Sequence, residues 1–167
     1  TQTPVRISQD FTAERGTAAA PAAIVAAAVA VALGGAGAGA KSKLKIDTTT
    51  ESYLEDATVR AVGHAVKVHS TSTSVATPTV SSAAVGAVAI AVLTSESIID
   101  GITRSYAGGV TTIEADTLEI HATDTNTSKS TSILIGGGAI TGVGATATAT
   151  ISRDTEAFIG LPDDGIN

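Results

Sequence analysis

The chain has 167 residues, 16 acidic side chains against 10 basic ones, and neither cysteine nor methionine. Without cysteine there is no disulfide, no thiolate nucleophile and no cysteine metal site. A net charge of −6 with no basic cluster longer than Lys41-Ser42-Lys43-Leu44-Lys45 disfavours nucleic acid as a partner.

Hydrophobic residues make up 43% of the chain but aromatics only 2%, so the apolar content is mainly Ala and Val. Side chains that small do not fill a globular interior at normal density, but they suit a stack of flat strands. The missing methionine makes Thr1 either a processed terminus or an internal position.

Thr1 to Gly16 is mixed and polar, with an alternating run at Val5-Arg6-Ile7, and reads as a lead-in strand or arm. Ala18 to Leu33 follows without a polar side chain. It is shorter than the ~20 residues of a membrane helix and is interrupted by Pro21, so a membrane span is disfavoured. It also starts too far along the chain for a signal peptide. The favoured reading is a strand pair, with a short Ala-rich helix as the alternative.

Gly34 to Ala40 reads as a tight corner, and Lys43 to Asp47 as a half-buried strand. Thr58 to His69 alternates, with Val59, Val62, Val66 and Val68 inward. Ser70 to Thr79 is a polar-faced strand or a loop. Val85 to Leu93 is apolar at every position, which predicts a strand covered on both sides and places Ile90 in the core. Val110 to Ala122 alternates again, with Ile113, Leu118 and Ile120 inward. Asp124 to Ser132 reads as a loop, and Leu161 to Gly165 as a turn.

Three loose copies of one unit run through this order: Gly34 to Asp56, Thr79 to Gly101 and Ile133 to Gly160. They close on Glu51-Ser52-Tyr53-Leu54-Glu55, Glu96-Ser97-Ile98-Ile99-Asp100 and Glu156-Ala157-Phe158-Ile159-Gly160. The spacers repeat as well, with Val66 to Thr73 matching Leu118 to Thr125. The closing boxes are unevenly spaced, which predicts a solenoid whose turns vary in loop length. At roughly 20 to 25 residues per turn it would have about seven turns and form a rod of about 35 Å.

A Gly-rich opening, an alternating Ala/Val/Thr strand and the box Thr155-Glu156-Ala157-Phe158-Ile159-Gly160 resemble the repeats of filamentous-haemagglutinin-like and leukotoxin-family filamentous adhesins of bacteria. The resemblance covers most of residues 34 to 160. It implies an all-β, right-handed parallel β-helix in a secreted or surface-anchored protein. The domain organisation that follows is an arm and apolar run over residues 1–33, serving as a capping or assembly segment, and β-solenoid repeats over 34–167.

The chemistry inventory is short. His64, His69 and His121 are the only side chains that titrate near neutrality; His69 and His121 hold equivalent places in two repeats, which explains their recurrence without a metal. Carboxylates are abundant, but with two Tyr and two Phe an aromatic sugar platform is hard to build. Asp163-Asp164-Gly165 is a turn and lacks the ligand spacing of a calcium loop. The glycine runs lack the Lys-Ser/Thr of a phosphate loop.

No catalytic, cofactor-binding or metal-binding residue is assigned, and the chain is read as non-enzymatic. Threonine rows at Thr71-Ser72-Thr73, Thr123 to Thr127 and Thr146 to Thr150 do not recur at a fixed period, which argues against an ice-binding array. The expected function is a structural, adhesive segment of an extracellular filament. Its partners would be copies of itself, neighbouring segments of a longer chain, or a host or surface receptor. The alternative is a solenoid that binds ice, or that binds or cleaves a polysaccharide.

Overall fold

A computed structural model describes residues 5–6, 11–23, 25–31 and 35–162. The described residues are strands and short turns, with no helix among them. Ten strands follow in order: β1 Val5–Arg6, β2 Phe11–Ala22, β3 Val25–Val31, β4 Gly35–Glu55, β5 Thr58–Ala76, β6 Thr79–Val85, β7 Val88–Gly108, β8 Thr112–Ser128, β9 Thr131–Gly137 and β10 Ile140–Ile159.

Every pairing is parallel and joins elements one coil apart. β5 lies between β8 and the pair β1 and β2; β6 lies between β3 and β9; β7 lies between β4 and β10. The described residues therefore form a parallel coil of three stacked turns. The Ala-rich run contributes strands to the first turn, and the described part of residues 1–33 pairs with β5 and β6 of the same chain.

The turns are few and long. Val66 sits opposite Leu118, 52 residues on, and Gly35 opposite Val88, 53 residues on. This corrects the expectation of about seven short turns. The uneven period came from aligning the wrong middle box: Glu51 and Glu156 share a column with Arg104, while Glu96 pairs with Lys43 and Thr148. The true middle box is Thr103-Arg104-Ser105-Tyr106, which keeps the aromatic but exchanges the acid for a base.

Within each turn the strands fold back on themselves as two facing layers. β5 and β6 run out, the chain reverses at Gly86-Ala87, and β7 returns against them. Cross-layer contacts fix the facing: Ser105 Oγ donates to Ser70 Oγ at 2.8 Å, and Ser130 Oγ to Ser95 Oγ at 2.6 Å. Alternation then sends Val66, Val68, Ser70, Ser72, Ser74 and Ala76 inward from β5, and Ala89, Ala91, Leu93, Ser95, Ser97 and Ile99 inward from β7.

Apolar clusters sit at the reversal (Ala84, Ala89, Ala91), at mid-strand (Leu44, Ile46, Ala76, Ile99) and at the far corner (Leu54, Val59, Val66, Val68, Ala107). Buried hydroxyls line the space between them. Ile113, Leu118 and Ile120 pack on the corner cluster, as the alternation predicts.

Several local expectations are overturned. Val85 to Leu93 is buried on one side only: Ala89, Ala91 and Leu93 face the core, while Ile90 is 55% exposed. Periodicity could not distinguish a strand covered twice from one whose outer face is apolar and bare. Val62 is exposed because an irregularity between Ala61 and Ala65 turns it out. Asp124 to Ser128 continues strand β8 rather than looping.

The glycines of 35 to 39 lie inside β4, not at a corner. Close backbone approach occurs at Gly138 instead, where a Cβ would meet Gly86 O at 2.0 Å. The turn expected at Asp163-Asp164-Gly165 lies outside the described residues.

Candidate functional site: outer ladders and a buried arginine

Parallel register turns each sequence position into a column running along the coil, so the outer faces are arrays of like residues. On the β4, β7, β10 face, Tyr53, Tyr106 and Phe158 form one column. Tyr53 and Tyr106 stack with centroids 5.2 Å apart and planes 12° apart; Tyr106 and Phe158 stack at 5.2 Å and 1°.

The column beside it is Glu51, Arg104 and Glu156, with Arg104 Nε bonded to Glu51. Burial, and then the neighbouring Glu55, hold the Tyr106 hydroxyl above the usual tyrosine value. Sequence reasoning missed this ladder because it paired Glu51 with Glu96. Stacking also uses up the ring faces of Tyr106, so the middle of the ladder offers edges rather than the faces a sugar platform needs.

On the β5, β8 face His69 lies opposite His121, as their equivalent positions predict. The rings meet edge to face at 5.7 Å, and His69 Nε2 is 3.2 Å from Glu119 Oε1. Glu119 also pairs with Lys67 at 2.9 Å, which with burial opposing holds its carboxyl below the usual range. Among the described residues no cluster of three His, Asp or Glu could hold a metal.

Next to the histidines the threonines do fall in register: Thr71 with Thr123, Thr73 with Thr125, and Thr79 with Thr131. The expectation of unregistered rows is corrected for the first two, which the coil period of 52 aligns; in the third row Thr148 and Thr150 lie opposite Glu96 and Ile98. The array is broken at the columns Val75 to Thr127 and Thr77 to Lys129.

The interior holds an arginine that sequence reasoning never singled out. Arg153 of β10 sits opposite Gly101, and its side chain is 1% exposed. Gly101 has φ +118, and a Cβ there would meet Thr48 O at 2.1 Å. The missing side chain lets Arg153 run inward across all three turns. Nη1 reaches Thr48 Oγ1 at 2.6 Å and Asp100 O at 3.0 Å; Nη2 reaches Thr103 Oγ1 at 2.8 Å and Ser72 Oγ at 3.3 Å. Nε donates to Asp124 Oδ2 at 2.5 Å, and the Asp124 side chain is 4% exposed. The available signal was a glycine one period before an arginine, legible only once the period was known.

At the far corner an apolar cleft of about 500 Å³ is lined by Ala107, Ile113, Leu118, Ile159 and Leu161. It prolongs the corner core toward the β8 and β10 side of the coil. Along that side the outer edges of β8, β9 and β10 pair with no strand among the described residues.

No protein-family model, curated protein or solved structure matches this chain.

Proposed function

We propose that the chain is a structural segment of a bacterial extracellular filament or adhesin, which presents its outer ladders to a host or surface receptor and associates end to end through further turns of the same coil. The reading is non-enzymatic. One observation carries it: the unpaired edges of the last turn are aligned with continuing columns and an open apolar core. β10 is exposed along nearly its whole length, and Phe158 ends an aromatic stack. Unpaired parallel edges recruit strands. The occupant is the first turn of another copy or a neighbouring segment of a longer protein. The adhesin-like box Thr155 to Gly160 supports the extracellular setting.

The test uses an inward-pointing charge. Ala147 shares the inner column of Ser95 and is exposed, so Ala147→Lys should block stacking without entering the core of the turns above. Light scattering should show the unmodified chain forming higher assemblies and Ala147→Lys remaining monomeric. A monomeric unmodified chain, or a variant that assembles equally well, would sink the reading.

A second reading rests on the threonine register. Threonines about 4.8 Å apart within each column form a small flat hydroxyl array of the kind that orders water. Thermal hysteresis in freezing solution tests it, and its absence removes ice binding.

A further inference from the structure

Three stretches of sequence carry no charged residue and no histidine: 16–40, 70–95 and 130–152. The coil lays the described residues of all three on top of one another. The second and third are each a strand leg out, a reversal, and a leg back. The fold thus gathers its uncharged sequence into one tip, made of β3, β6 and β9 on one side and the first residues of β4, β7 and β10 on the other.

The tip carries exposed apolar side chains on both outer faces. Val25, Val29, Val31, Ile133 and Ile135 are 50 to 77% exposed on one face. Val88, Ile90, Val92 and Ile140 are 40 to 65% exposed on the other. On the first face Ala83 completes the column of Val29 and Ile135, while Ser81 stands in the column of Ile133 and Thr79 and Thr131 in that of Val25; on the second face Gly37, Gly39, Gly142 and Gly144 complete the columns, so no polar column interrupts the second patch. A patch that is uninterrupted on one face of the tip and accompanied by exposed Val and Ile on the other marks an interaction site.

Two measures say what covers it. The outer apolar run from Val88 to Val92 rises about 13 Å, close to the roughly 15 Å hydrocarbon depth of one bilayer leaflet. The first charges beyond it on opposite faces are Lys41, in the column of Thr94, and Lys129, in the column of Thr77, with Lys43 and Lys45 following. Lys43 and Lys45 are paired with Glu96 and with Asp47 and Asp100. No ion pair among the described residues engages Lys41 or Lys129. Copies packed symmetrically tip to tip would leave these lysines without a counter-charge, whereas anionic headgroups would meet them favourably.

We propose that the tip docks on a lipid bilayer, sinking into one leaflet with Lys41 and Lys129 at the level of anionic headgroups. Free strand edges do not persist in hydrocarbon, so the docking rests on the end-to-end stacking proposed above.

The experiment is flotation of the full chain with vesicles of phosphatidylcholine alone and of phosphatidylcholine with phosphatidylglycerol, with the mass in solution read alongside. The chain should float, and more strongly with the anionic vesicles. Ile90→Asp with Ile135→Asp, both at exposed outer positions, should leave the β spectrum intact and abolish flotation. Lys41→Gln with Lys129→Gln should weaken anionic binding roughly thirtyfold, at about 1 kcal/mol per lysine.

A chain that stacks in solution but floats with neither vesicle overturns the docking and leaves the stacking in place. So does a solution mass that falls in the aspartate variant while flotation was never seen, which assigns the tip to a second copy. A chain that floats without stacking overturns the stacking, and with it the docking of a covered, stacked tip proposed here.

Discussion

Arg153 is the place where one substitution should reveal how the turns are held. Replacing it with leucine removes the guanidinium from Asp124 and leaves a carboxylate 96% buried with no cation beside it. Breaking one side of such a pair costs about 3 to 5 kcal/mol, because the remaining charge loses its partner without regaining water. At this chain length that corresponds to a fall in Tm of roughly 6 to 20 °C, from about 2 to 4 °C per kcal/mol. Asp124→Leu combined with Arg153→Leu removes both charges, so most of the loss should return, since well-packed apolar replacements of buried pairs are often neutral. Urea unfolding followed by far-ultraviolet circular dichroism gives the free energies. Amide exchange should locate the first loosening in β10, whose inner face the arginine anchors to Thr48 and Thr103. A single substitution costing less than about 1 kcal/mol, or a double variant no more stable than Arg153→Leu, would show that the pair is not the clamp described.

Glycine substitutions should separate close approach from open strand. Gly101→Ala forces a side chain into a left-handed backbone at 2.1 Å from Thr48 O and should cost at least about 3 kcal/mol, whereas Gly144→Ala meets nothing within 4 Å and should stay within about 1 kcal/mol; denaturant midpoints compare the two. Acid should destabilise the coil in part through Asp100, whose carboxyl lies below the usual range because the Gly101 backbone N–H donates to it at 2.9 Å and Lys45 adds to the effect. A lowered folded pKa stabilises above the unfolded value and is lost as pH falls through the folded one. Tm should therefore decline below about pH 4, and less steeply in Asp100→Asn; equal acid slopes would remove Asp100 from the account.

The fold class was legible in the sequence because small apolar residues, alternation and repetition all point one way. The period was not, and its loss propagated. Glu96-Ser97-Ile98-Ile99 imitates the closing box, whereas the real counterpart has Arg104 where the other two have glutamate. Taking the imitation made the spacing uneven, hid the aromatic ladder and put the threonines out of register. The histidine pair, 52 residues apart, already carried the correct period. Ile90 failed for another reason. Alternation reports that two faces differ in direction, not which of them is covered, and a bare apolar face looks the same in sequence as a buried one. Arg153 was invisible because a buried guanidinium needs a cavity, and the cavity is made by a glycine on a different turn.

The composition of the core bears on the proposed end-to-end association. Hydroxyls line much of the interior: Ser70, Ser72, Ser74, Ser95, Ser97 and Ser105 are buried between two layers, alongside Ala76, Ala89 and Ala91. Small side chains bury little apolar area per residue, so the hydrophobic return per turn is modest. Some hydroxyls pair across the gap, as Ser128 Oγ does with Ser97 Oγ at 2.7 Å, while those of Ser42, Ser74 and Ser82 are buried without a hydrogen-bond partner among the described residues. What each added turn does supply in full is a set of ladder hydrogen bonds and registered columns on its neighbour. Stability in such an array grows with the number of interfaces between turns and is weakest at its two ends. A chain with three turns has only two such interfaces in each sheet. Every further turn, from a longer chain or a second copy, adds one and covers an exposed edge. The proposed end-to-end association rests on that physical gain.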